Sequence, residues 1–259
     1  MDLGLAGTTA MVCGSSDGLG LACATALAQA GAKVLLNGRS PDRLSAAAER
    51  LGAQFPGMVA AIAADVTTAD GRAALFEAMP GPDILVTNAG GPPPGQIDDW
   101  DEADWHGALQ ANMVTPIMLI RAALPAMRAR KWGRIINITS AAVKAPMPNL
   151  GLSNGARTGL TGFVSGLARQ VAADGVTINN LLPGFFHTAR LESLAEAMAA
   201  GRGVPRETVW AEMQAKSPMG RVGDPAEFGA ACAWLASRQA AFITAQNILL
   251  DGGAYPGTL

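Results

Sequence analysis

The sequence predicts an α/β protein built on a mostly parallel, doubly wound sheet with helices on both faces. Three observations carry that expectation. Short apolar runs recur along the 259 residues, and stretches able to form helices of about ten or more residues lie between most of them. A glycine-rich segment, Gly14-Ser15-Ser16-Asp17-Gly18-Leu19-Gly20, joins the first run to the first such helix. Parallel strands need a crossover between them, and helices that cross over cover both sheet faces, so the strands become apolar runs rather than alternating ones.

The elements follow in order. Residues 8–13 form the first run, and the helix after the glycine turn extends to about Ala30; further strands are expected over 32–37, 58–65, 84–88, 134–139, 176–182 and 246–250, seven in all. Ser40 can cap the second helix while Pro41 occupies its first turn, where a missing amide hydrogen costs little. Residues 90–95, Gly-Gly-Pro-Pro-Pro-Gly, must be loop, since they offer few backbone donors. Pro125 sits inside an otherwise helical interval and predicts a bend or break. Between Thr188 and Val222, Leu191, Leu194, Ala195 and Met198 recur at helical spacing, and a second helix is expected over about 206–216.

No linker or charge-rich block divides the chain, so residues 1–259 are expected to be one domain. A formal charge of −2 gives no broad electrostatic footprint for nucleic acid or an anionic membrane. With no apolar stretch near about 20 residues and no basic-then-apolar leader, a cytoplasmic protein is expected. Cys13, Cys23 and Cys232 have no metal-binding spacing and read as buried thiols; no metal is expected. Asn137-Ile138-Thr139 matches a glycosylation motif but falls in an expected central strand, and is taken as chance.

The strand–glycine turn–helix context of residues 14–20 points to a dinucleotide. Glycines allow a tight turn and close backbone approach, while helix amides face the diphosphate. The second strand ends Leu36-Asn37-Gly38-Arg39, without the carboxylate that commonly receives the ribose hydroxyls of NAD. Arg39 can instead pair with a 2′-phosphate, favouring NADP, with NAD the alternative; Asp17 would oppose that phosphate if its side chain faced it.

Together these features resemble the classical short-chain dehydrogenase/reductase family across nearly the whole chain, which implies a Rossmann-like seven-stranded sheet. Gly14, Gly18 and Gly20 match its glycine motif, and the resemblance extends the cofactor set to Ser16, Asp17 and Leu19 in the same turn. Asp65-Val66 stands where the family approaches adenine. Asn88-Ala89-Gly90 matches the motif that borders the cofactor. Pro183-Gly184, with Phe186 and Thr188, resembles the segment that reaches the nicotinamide carboxamide, and Asp251-Gly252-Gly253 resembles the closing loop. The resemblance also implies a homodimer or homotetramer, and makes residues 188–222 a helical insertion that covers the substrate.

The family's catalytic asparagine falls on Asn112 and its serine on Ser140. Its tyrosine and lysine positions hold Ser153 and Arg157. A phenol titrates near about 10, whereas Ser153 carries a less acidic aliphatic hydroxyl, and arginine stays protonated and is a poor base. Unless another group replaces the tyrosine, loss of acid/base assistance costs roughly 100- to 10,000-fold in rate, about 3 to 5 kcal/mol of barrier. Ser140 remains the best substrate-contacting hydroxyl. Ser153 can orient substrate or cap a helix, and Arg157 can contact a substrate oxygen, the cofactor or a structural carboxylate. Water, Lys144, His187 or Tyr255, the sole tyrosine, would complete proton transfer; His106 reads as solvated. Halohydrin dehalogenases resemble this scaffold and carry arginine at the equivalent of Arg157, but their altered cofactor loop is not found here. The expected activity is NADP-dependent hydride transfer between nicotinamide and a small or medium apolar carbonyl or alcohol. The alternative is a catalytically weak or inactive nucleotide-binding sensor or assembly protein.

Overall fold

The computed structural model describes residues 2–258. Its elements run β1 (Thr9–Val12), α1 (Gly18–Gln29), β2 (Lys33–Gly38), α2 (Pro41–Gln54), β3 (Val59–Ala63), α3 (Ala69–Ala78), β4 (Ile84–Thr87), α4 (Glu102–Leu109), α5 (Thr115–Ala129), β5 (Gly133–Ile138), α6 (Gly151–Val171), β6 (Val176–Pro183), α7 (Ala189–Arg202), α8 (Arg206–Ala215), α9 (Pro225–Ala236) and β7 (Asn247–Leu250). The seven strands form one sheet in the order β3-β2-β1-β4-β5-β6-β7, and every pairing is parallel. Strand order reverses between β1 and β4, which opens a crevice at their C-terminal ends, the place where such sheets bind ligands.

Side-chain alternation explains why both faces are covered. Ala10 and Val12 of β1 join one core layer with Leu27, Phe228 and Cys232 from α1 and α9. Met11 and Cys13 point the other way, into a layer with Leu119 and Ile120 of α5 and Leu160 and Val164 of α6. Successive strand residues face opposite sides, so a fully apolar strand needs a helical layer on each. Helices α1 and α9 approach closely because Gly229 has no side chain: a Cβ there would lie 2.3 Å from the Ala22 carbonyl oxygen. All three cysteines are free and buried.

Three local expectations are corrected. Ser40 is the N-cap of α2 but makes no side-chain capping bond, and Pro41 alone marks the start. Pro125 does not break its helix: α5 runs through it. Both Pro125 and Arg121, whose carbonyl would otherwise receive the missing amide, are exposed, so water can satisfy that carbonyl. The third strand is shorter than residues 58–65 and is partly exposed at the sheet edge.

Helices α4 and α5 are joined by a π-helical turn, Gln110–Val114, which the sequence reading did not foresee. Its cause is visible in retrospect. Pro116 has no amide hydrogen to donate to the carbonyl of Asn112, and the Thr115 amide reaches back five residues to Gln110 instead. Asn112 lies inside this turn.

Helices α7 and α8 bury Leu191, Ala195, Ala199, Val209 and Met213 in a small cluster of their own. Gly203, at φ +63°, ends α7, and Arg202 pairs with Glu212 at 2.7 Å across the two helices. Among the described residues, no helix is long and apolar enough to cross a membrane.

Candidate functional site

The crevice begins at the first βα turn. Gly14 and Gly18 both have φ +56°, a conformation that favours glycine. A Cβ on Gly20 would lie 2.2 Å from the Gly14 carbonyl oxygen, so the turn folds this tightly only with hydrogen there. Asn88 Nδ2 donates to that same carbonyl at 2.9 Å, fastening the end of β4 to the turn. Beyond it Gly90 is exposed, with open space where a side chain would stand. This glycine-walled groove at a helix N-terminus has the shape that a diphosphate requires.

The other expected cofactor positions surround the groove unevenly. Ser16 lies over the end of β2, its Oγ 3.2 Å from where a Gly38 Cβ would be. Asp17 does not stand open: it accepts the Gly18 amide at 2.7 Å and pairs with Arg43 at 3.1 Å. Leu19 packs against the core. Arg39 is exposed and within electrostatic reach of Asp65. Bonds from the Thr67 amide and hydroxyl hold the Asp65 carboxyl below the usual range, with a smaller contribution from Arg39, and Val66 beside it is buried. Ala89 is half-buried in the loop between Asn88 and Gly90.

On the far side, Pro183 ends β6 and the Gly184 amide donates to Leu250 at 2.8 Å. Thr188 caps α7 and stands 3.6 Å from where a Gly18 Cβ would be. Phe186 turns away from the groove, its ring edge-on to Phe228 at 5.2 Å in the core. Its backbone bridges to Gly223, and the residue also lines a cavity beside the crevice.

Asn112 is buried in the π-turn; its Nδ2 reaches the carbonyls of Gly90 and Ala108 at 3.4 Å each, while Oδ1 has no partner. Ser140 follows β5, and its Oγ accepts the Ala142 amide at 3.1 Å, which leaves the hydroxyl hydrogen available. Ser153 is not a cap: it lies inside the first turn of α6 and is buried. Arg157, one turn on, is also buried and has no carboxylate partner among the described residues. Its Nη1 donates to the carbonyls of Ile138 and Thr139 at 2.9 and 2.8 Å. Burial, then the nearby cation of Arg190, lowers Arg157 to about 10, so it stays charged at neutral pH.

Arg190 was not anticipated, although a cation two residues after Thr188 was there to be noticed. Its guanidinium lies over Gly91, with Nη2 2.6 Å from where a Cβ would be. The proposed proton sources separate clearly. His187 is exposed, bound to Glu192 at 2.9 Å and edge-on to Trp210 at 5.3 Å. His106 is exposed on α4. A cavity of about 580 Å³ is lined by Ala141, Met147, Phe185, Met213, Met219 and Tyr255, among others, but not by Lys144, His187 or Trp210. It meets the crevice at Ala141 and Gly184 and excludes Ser140, Ser153 and Arg157 themselves. No group of three or more His, Cys, Asp or Glu able to hold a metal occurs among the described residues.

The parallel sheet, the glycine groove at its switch point and the serine after β5 define a Rossmann-type oxidoreductase. The comparisons make this specific. A family model described as enoyl-(acyl carrier protein) reductase matches residues 14–255. The 3-oxoacyl-[acyl-carrier-protein] reductase of Vibrio cholerae is 35% identical over 259 residues, covering 98% of this chain and 99% of its own. The D-beta-hydroxybutyrate dehydrogenase of Rhizobium meliloti is 34% identical over 251 residues, covering 95% and 97%. The structure of L-sorbose reductase from Gluconobacter frateurii, complexed with NADPH and L-sorbose, superposes with a TM-score of 0.95 at 30% identity, covering 100% of both chains. The chain belongs to the short-chain dehydrogenase/reductase family.

Proposed function

We propose that this chain is an NADP-dependent oxidoreductase that moves hydride between nicotinamide and a small or medium carbonyl or alcohol with an apolar body. The observation that carries it is the Gly14–Gly20 turn fastened to Asn88 at the end of β4, with Ser140 following the neighbouring strand β5. A relative of the same shape is complexed with NADPH. Bound NADP supplies or accepts the hydride. The Leu19 amide in the turn holds the diphosphate, Asp65 and Val66 flank the adenine end, and Gly184 and Thr188 flank the nicotinamide end.

Arg39 takes the 2′-phosphate. Asp17 does not oppose this, because Arg43 neutralises it. Ser140 donates its hydroxyl hydrogen to the reacting oxygen, and Ser153 orients that oxygen from α6. Asn112 holds the Gly90 loop at its present height. Arg157 stabilises nearby negative charge from behind Ser140 while tying α6 to β5. Tyr255 supplies the proton: of the side chains considered for that role, it is the one that lines the cavity. Two bonds place it there, since Asp251 accepts the Gly253 amide at 2.9 Å and the Tyr255 amide at 2.8 Å. Helix α8 borders this cavity through Met213, with α7 packed against α8.

Fluorescence titration of NADPH and NADH tests the reading. NADPH is expected to bind more tightly, and Arg39→Ala to weaken it by roughly 10- to 100-fold, the worth of one charge-assisted bond, with NADH changed less than about threefold. Absence of binding by either nucleotide would remove the assignment.

A further inference from the structure

Two guanidinium groups lie at the C-terminal ends of neighbouring parallel strands, Arg157 on the Thr139 carbonyl after β5 and Arg190 over Gly91 after β4. Arg157 is buried on α6, and only its Nη1 is used, on the carbonyls of Ile138 and Thr139. Arg190, exposed at the start of α7, lies over Gly91 and is near enough to disturb Arg157 electrostatically. Neither has a carboxylate within 4.0 Å among the described residues, although Arg128, Arg130, Arg202, Arg206 and Arg221 all do. Buried charges are ordinarily paired, and two like charges in one cleft are unfavourable until an anion joins them.

We infer that Arg157 and Arg190 form a subsite for a carboxylate carried by the substrate, so that the enzyme takes oxo acids or hydroxy acids whose apolar body extends into the cavity beside Tyr255. This rests on the oxidoreductase reading above. The planar fork of arginine matches a carboxylate in two-point contact, and Arg190 on the edge of the cleft can close on it while Arg157 is fixed from below. Ser140 directly follows the Thr139 carbonyl that Arg157 holds and directly precedes Ala141, which lines the cavity. A substrate anchored at its charged end would thus present its carbonyl to this serine. The cofactor's diphosphate is the other anion at hand, but the glycine turn at the start of α1 already provides for it.

Calorimetry on the NADP⁺-loaded protein tests the subsite without needing turnover, using 3-oxohexanoate and its methyl ester as probes. The acid is expected to bind at least about tenfold more tightly than the ester. Arg190→Gln, a surface change that spares the core, should bring the two within about twofold while the NADPH dissociation constant moves less than about threefold. Equal binding of acid and ester by the wild-type protein, no binding of the acid, or a preference that survives Arg190→Gln would each overturn the proposal. So would a tenfold loss of NADPH affinity in Arg190→Gln, which would assign the arginine to the cofactor's phosphates. Failure of the wild-type protein to bind NADPH at all would instead strike the oxidoreductase reading on which the subsite depends.

Discussion

Arg157 Nη1 donates to the Thr139 carbonyl at 2.8 Å, fixing α6 to the strand end from which Ser140 projects. The same nitrogen also serves Ile138, so this buried side chain acts as a bracket between α6 and β5. Arg157→Met would leave two buried carbonyls without a donor, at about 1 to 3 kcal/mol each, partly offset because a charge no longer has to be buried. The expected net loss is about 2 to 4 kcal/mol, read from urea unfolding midpoints, and Arg157→Lys should recover part of it. An unchanged midpoint in Arg157→Met would show that the bracket is not structural.

The groove depends on one missing side chain more than on any present one. Gly20→Ala would place a methyl 2.2 Å from the Gly14 carbonyl oxygen and 2.9 Å from Asn88 Nδ2, and the Gly14 backbone cannot yield cheaply. We expect a loss of at least about 2 kcal/mol in stability. NADPH binding should become undetectable in fluorescence titration even at temperatures where the variant remains folded, because the turn and the Asn88 bond move together.

Much of this architecture was legible because its causes are local. Apolar runs without alternation can only be strands covered twice, and Gly14, Gly18 and Gly20 mark a turn whose geometry excludes side chains. The rest depends on groups far apart in sequence. Arg43 neutralises Asp17 across 26 positions, Asn88 reaches Gly14 across 74, and Asp251 orients Tyr255 only because the loop after β7 folds back beside Gly184. Arg190 was hidden for the same reason: nothing in its neighbours says that it lies over Gly91. The π-turn at Asn112 was readable in principle from Pro116, but the irregularity shows only once two helices are known to be continuous.

Tyr255 tests whether the proton source has moved from α6 to the C-terminal loop. Tyr255→Phe keeps the ring and the backbone bond to Asp251 and removes the hydroxyl. Loss of general acid assistance should lower kcat by roughly 100- to 10,000-fold with little change in NADPH affinity. A variant that keeps its rate would return the role to water.

The Arg221–Glu227 pair on the wall of the cavity predicts a particular response to acid. Glu227 sits in the first turn of α9, where Arg221 holds its carboxylate and the Asp224 amide donates to it, and together these lower it to about 2. A carboxyl depressed in the folded state contributes stability that is fully present above its unfolded value, near 4.5, and is lost as pH falls from there through about 2. Glu227 is half-exposed, so salt should shrink the effect. Its removal would weaken the cap of the helix that packs most tightly on α1, and would free Arg221 beside the cavity. Thermal unfolding of Glu227→Gln from pH 6 to pH 2.5 is therefore expected to lie below the wild type at pH 6 and to converge with it as acid protonates the native carboxyl. Coincident curves across that range would mean that the pair contributes nothing to folding, leaving the Asp224 side chain, which accepts the Ala226 amide at 2.8 Å, to cap α9 unaided.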